Sequence, residues 1–216
     1  EQTAKGTGCT TQGVCGKDAQ VAALIDLLMH ATKGVSMYAH RARQLGATDR
    51  EINVFTAEAL FSTVTNVNFD PERYKPLLAR AAEMRDKAKR LYEDACKRAG
   101  RTPQTLDGAA AWEPAGDLEG EEVTILKRKE RFGDDITGLQ ELLTYGVKGA
   151  AAYADHAQIL GQEDDKIYAF FHEALDYVTR DDPKVDQLLA LCLRCGETNL
   201  RAMELLDKAN TGAYGH

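Results

Sequence analysis

The chain has 216 residues, 44% hydrophobic and 28% charged, a balance that can close a core and excludes both a disordered polymer and a membrane bundle. Its 34 acidic side chains outnumber 27 basic ones for a net charge of −7, which repels a phosphate backbone. With no run of about 20 apolar residues and no basic-then-apolar leader, neither nucleic acid nor membrane is an expected partner, and the cytoplasm is the expected compartment.

Residues 1–17, EQTAKGTGCTTQGVCGK, hold four glycines and two cysteines but almost nothing apolar. Cys9 and Cys15 are separated by five intervening residues and flanked by Gly8, Gly13 and Gly16, whose backbone can wrap a metal centre and aim N–H groups at its sulfurs. The alternative is a tail with incidental thiols. A phosphate loop does not fit, because Thr11 stands where a glycine is required and Asp18 where a Ser or Thr is required.

From Val21 onward the chain is periodic. Val21, Leu24, Leu28, Ala31, Val35, Tyr38, Ala42 and Leu45 step by three and four, the spacing of one helix face. Helices are expected near 18–45, 49–66 and 71–99, started by Asp18, by a Thr48–Glu51 capping box and by Asp70–Pro71. Residues 100–133, rich in Gly and Pro and ending in the charged run Lys127–Arg131, read as a linker with room for a short helix. A second set of helices follows near 134–160, 163–179 and 183–209, the last started by Asp182–Pro183.

The second set repeats the first. At an offset of 115, Asp26-Leu27-Leu28 falls on Glu141-Leu142-Leu143, Lys33-Gly34 on Lys148-Gly149, Tyr38 on Tyr153 and Glu58-Ala59-Leu60 on Glu173-Ala174-Leu175. Farther on, Asp70–Pro71 matches Asp182–Pro183 at an offset of 112. The small residues Ala31 and Gly146, midway along the two stripes, invite close helix approach. The expected fold is all-α: a cysteine loop (1–17), a three-helix bundle (18–99), a linker (100–133) and a second three-helix bundle (134–216).

Other residues with chemical potential read as structural. Cys192 and Cys195 sit on one helix face among leucines and read as core, with a four-cysteine zinc site of Cys9, Cys15, Cys192 and Cys195 as the alternative. Cys96 is alone and structural. His30, His40, His156 and His172 lack the Glu-x-x-His pattern of a di-iron bundle. Glu58 and Glu173 read as members of ion pairs. No nucleophile elbow is present, and no catalytic residue is assigned.

The chain resembles the hybrid-cluster proteins, also called prismane proteins or hydroxylamine reductases. The resemblance is carried by residues 1–17, by LFSTVTNVNFD at 60–70, by YGVKGAAAYADHAQILG at 145–161 and by LLDKANTGAYGH at 205–216. It implies that Cys9 and Cys15 are two of four ligands to a [4Fe–4S] cluster, the other two positions preceding Glu1. It implies also that the hybrid iron–sulfur–oxygen cluster lies in further domains beyond residue 216, so that this chain is an electron-intake and scaffold region, inactive alone. The parent would reduce hydroxylamine to ammonia, or related nitrogen oxides such as nitric oxide, with those further domains and an electron-donor reductase as partners. A non-enzymatic helical interaction module is the competing expectation.

Overall fold

The computed structural model describes residues 15–114 and 125–215. Six helices build them: α1 (Ala19–Gln44), α2 (Arg50–Ser62), α3 (Pro71–Arg98), α4 (Ile125–Ile159), α5 (Asp165–Tyr177) and α6 (Val185–Tyr214). A 3₁₀ turn spans Gly108–Ala111, and no strand occurs among the described residues. The all-α class is as expected.

The Asp18 carboxylate starts α1 by accepting from the Val21 N–H at 2.8 Å, and Gly46 leaves the helix at φ 76°. Val21, Leu24, Leu28, Ala31, Val35, Tyr38 and Ala42 of the stripe are all buried. The expected Thr48 cap is displaced by one residue. Asp49 accepts from the Ile52 N–H at 3.1 Å instead, while Glu51 turns to Lys87 Nζ at 2.7 Å. Lys87 meets Asp49 as well, at 2.8 Å, and the charged acceptor beside an ammonium is the stronger cap. α2 ends at Ser62, short of residue 66, where the Thr63 hydroxyl turns back to the Leu60 carbonyl at 2.7 Å. Asp70 and Pro71 then start α3, with Asp70 accepting from the Glu72 N–H at 3.0 Å.

In the second copy, α4 begins at Ile125, inside the expected linker, so the charged run 127–131 is helical. Gly133, at φ 78° and ψ 176°, breaks this lead-in from the helix that matches α1, in a conformation that costs other residues far more. Asp182–Pro183 does not start α6, which begins at Val185. Asp182 instead pairs with Lys184 Nζ at 2.6 Å, and the Lys184 N–H donates to the Tyr177 hydroxyl at 3.1 Å.

Ion pairs give the working register of the repeat. Arg80–Glu58 at 2.8 Å recurs as Arg194–Glu173 at 2.6 Å, and Lys87–Asp49 at 2.8 Å recurs as Arg201–Asp164 at 2.9 Å. Arg80 lies over Phe55 as Arg194 lies over Phe170. Both basic residues move by 114 positions, so α6 is one residue out of step with α1–α2, and the Asp–Pro match at 112 is two residues out of phase with the structure.

Within each copy the long helices run side by side in the same direction. Lys17 meets Phe69 near the starts of α1 and α3, and Tyr38 meets Tyr92 near their ends. Gly146 of α4 lies so close to α6 that a Cβ there would stand 2.8 Å from Cys195 Sγ, the close approach expected of small residues. The trios are not separate beads, however. α5 packs along α1 and α2 along α4, and Met29, Ala57 and Leu60 of the first copy join the core of the second.

Polar groups fasten this seam. Buried His172 bridges the copies, with Nδ1 3.1 Å from Ser36 Oγ and Nε2 3.0 Å from Asn53 Oδ1. Because Arg43 also donates to Asn53 Oδ1, at 3.2 Å, that oxygen is an acceptor, so His172 donates from Nε2 and accepts the Ser36 hydroxyl at Nδ1. Arg41 pairs with Asp176; 115 residues on, His156 meets Phe61 edge to face at 5.0 Å. Equivalent positions thus meet on both sides of the seam, as a pseudo-twofold relation requires.

Candidate metal centre

Of the two cysteines singled out in the loop, Cys9 lies outside the described residues and Cys15 lies within them. Cys15 is a free, half-buried thiol that leads directly into the cap of α1. Its seat is built from the α2–α3 connection. Lys17, itself buried, donates to the Val64 carbonyl at 3.1 Å, and its ammonium lies 5.4 Å from the centre of the Phe69 ring. Gly16 at φ 94° turns the backbone past that same ring. Cys15 therefore stands four residues before the first turn of α1, on a backbone anchored two residues later by Lys17, with its thiol engaged in no disulfide.

The remaining cysteines do not join it. Cys96 is buried in the core of the first copy. Cys192 and Cys195 lie between α6 and α4, where Cys192 Sγ faces the Leu139 carbonyl at 3.8 Å. Burial pushes the Cys192 thiol up and, aided by Cys192, pushes Cys195 up to about 11, as in an apolar core. Among the described residues no three of His, Cys, Asp and Glu gather as a metal site, so Cys15, Cys192 and Cys195 do not come together in the zinc arrangement.

Glu58 and Glu173 pair with Arg80 and Arg194, the structural role expected of them. The histidines also serve structure. His172, read from the sequence as structural, is wholly enclosed, and burial, with Arg43 and His40 nearby, holds it down to about 3. Its hydrogen bonds to Ser36 and Asn53 are what permit burial of a neutral ring.

Sequence reasoning missed a charged cluster built from the repeat itself. Asp26 and Lys33 of α1 are matched by Glu141 and Lys148 of α4, and the four act on one another electrostatically with Arg128, which pairs with Glu141 at 2.7 Å. Burial raises Asp26 and lowers Lys33 to about 8; at Glu141 burial is the largest single influence, but Arg128, Lys33 and other nearby positive charge together hold it below its ordinary value. Asp26, Lys33 and Arg128 open onto a cavity of about 230 Å³, where they can hold an anion or exchange protons. The available signal was the recurrence of identical charge at both copies' equivalent positions.

Residues 2–216 match the family described as Prismane/CO dehydrogenase family. The chain belongs to that family. Over its whole length it is 51% identical to a hydroxylamine reductase of Rhodospirillum rubrum, 51% to one of Syntrophobacter fumaroxidans and 44% to one of Halothermothrix orenii. It spans 40% of the length of each of these relatives. For a prismane-family chain, the donor chemistry at Cys15 fits an iron–sulfur centre: a soft sulfur ligand, unengaged by any disulfide and held apart from the core thiols. No described helix is long and apolar enough to cross a membrane.

Proposed function

We propose that this chain is the electron-intake and scaffold region of a hydroxylamine reductase, and that residues 18–99 and 134–216 are its two repeated halves. The observation that carries the reading is the placement of Cys15, a free thiol two residues before the anchored Lys17, within a chain whose whole length aligns with 40% of a protein named hydroxylamine reductase. In this reading Cys9 and Cys15 ligate a [4Fe–4S] cluster completed by two thiolates from elsewhere in the longer protein. When bound, the cluster supplies one-electron transfer from a reductase partner toward a hybrid iron–sulfur–oxygen centre in the remaining domains.

This chain's own residues do the holding. Lys17 anchors the backbone that follows Cys15 onto the α2–α3 connection, and the interlocked helices hold that connection in place. The overall reaction adds two electrons and two protons to hydroxylamine, breaks the N–O bond and releases ammonia and water. Nitric oxide and related nitrogen oxides belong to the same proposed substrate class. A reducing cytoplasm is the compartment that suits such thiolate chemistry.

An anaerobic assay with reduced viologen tests the division of labour: the longer protein reduces hydroxylamine and this chain alone does not. Turnover by this chain alone would contradict it. The bare apolar face of α4 and α6 favours one second reading, a non-enzymatic docking module. That reading requires the longer protein to be colourless and free of iron.

A further inference from the structure

The two copies differ in one respect that the repeat makes interpretable. After α3 the chain returns across its own bundle as a strap. The Gln104 N–H donates to the Tyr92 hydroxyl at 3.1 Å, Arg85 grips the Trp112 carbonyl and, at 2.7 Å, Glu113, and Ala109 and Ala110 press into the core. The strap lies on Gly34 so closely that a Cβ there would stand 2.1 Å from the Ala109 carbonyl oxygen. Leu27 and Tyr38, in the same core cluster as Ala109 and Ala110, are only 5% and 4% exposed.

The equivalent face of the second copy is open. Leu142 and Tyr153, the counterparts of Leu27 and Tyr38, are 61% and 37% exposed. Gly149, the counterpart of Gly34, has nothing within 4 Å of where its Cβ would be. These residues, with Gly146, Cys195 and Asn199, line a groove of about 430 Å³ between α4 and α6. Asn199 stands at the position of Arg85, so the groove even keeps a side-chain donor where the first copy holds a strap carbonyl.

We propose that this groove is the seat of a second strap: the polypeptide that follows α6 in the longer protein returns across Gly149, as residues 104–113 return across Gly34. The repeat names the occupant, because in the first copy the same groove is filled by the segment directly C-terminal to the helix that forms it. It also names the chemistry. Small apolar residues lie on Gly149, a backbone carbonyl accepts from the Asn199 amide, and Leu142 and Tyr153 are covered. The inference rests on the preceding reading only in taking the chain as part of a longer protein.

The test places a benzophenone amino acid at Tyr153 of the longer protein, irradiates it and maps the cross-link by mass spectrometry. The expected product joins residue 153 to the stretch immediately after α6. A cross-link to a remote part of the chain, to a second copy or to another protein would overturn the proposal, as would its absence.

Gly149→Leu gives an independent readout. It should lower the Tm of the longer protein by about 5 °C or more yet leave this chain's Tm unlowered, because here the site is open. Equal shifts in both would count against the strap. Both outcomes are read without reductase activity or iron content, so failure of the proposed function and failure of the strap are distinguishable.

Discussion

His172 offers the sharpest test of how the two copies are joined. Replacing it with Ala removes a ring enclosed between Ser36 and Asn53 and leaves the Ser36 hydroxyl without its partner. Cavity and lost hydrogen bonding together should cost about 3–5 kcal/mol near neutral pH. The pH dependence is more diagnostic than the size. His172 is held at about 3 when folded and returns to about 6.5 when unfolded, so between these values the unfolded chain binds the extra proton. Its stabilising contribution is therefore fully present above the unfolded value and is lost as pH falls toward the folded one. Between about pH 7 and about pH 5 the wild type should lose about 2 kcal/mol through this residue. His172→Ala lacks that loss, whereas His30 and His40, also held down by burial, act in both proteins and largely cancel. Urea melts followed by circular dichroism at both pH values should show the gap between the two proteins narrowing by that amount. Parallel pH dependences would refute the buried neutral histidine.

In this chain by itself, Gly34→Ala forces a methyl group into the Ala109 carbonyl and should cost about 1–3 kcal/mol in urea melts, whereas Gly149→Ala meets nothing and should gain up to about 1 kcal/mol. Cys195→Ser puts a hydroxyl in a buried apolar site and should cost about 1–3 kcal/mol, with no change in the iron content of the longer protein. A parallel loss of iron would revive a metal role for that pair. Lys17→Met removes the hydrogen bond to Val64 while keeping the apolar stem, and limited proteolysis should then cut near Cys15 faster than in the wild type. Unchanged cleavage would mean that Lys17 does not fix the seat.

The helices were legible because their signals are local. The stripe from Val21 to Ala42, the Asp18 and Asp70 caps and the turn at Gly46 each depend on residues a few positions apart. What joins the copies was not legible in the same way. His172 finds Ser36 and Asn53 across more than a hundred residues, and its counterpart in the first copy is Ala57, so the repeat itself gave no hint of the network. Sequence identity also misled at Asp182–Pro183, where a matched dipeptide suggested a cap but the Arg194–Glu173 and Arg201–Asp164 pairs hold α6 in a different register. At the candidate site, glycine spacing and two thiols were enough to single out Cys15. The seat that holds it, made by Lys17, Val64 and Phe69, arises only when α2 and α3 bring their connection to the head of α1.

The central claim is that Cys15 serves an iron–sulfur centre. Cys15→Ser in the longer protein, prepared without oxygen and analysed for iron and acid-labile sulfide, tests it most directly. The account predicts a loss of about four iron atoms per chain relative to the wild type, with helical circular dichroism unchanged. Wild-type iron and sulfide in the variant would contradict it.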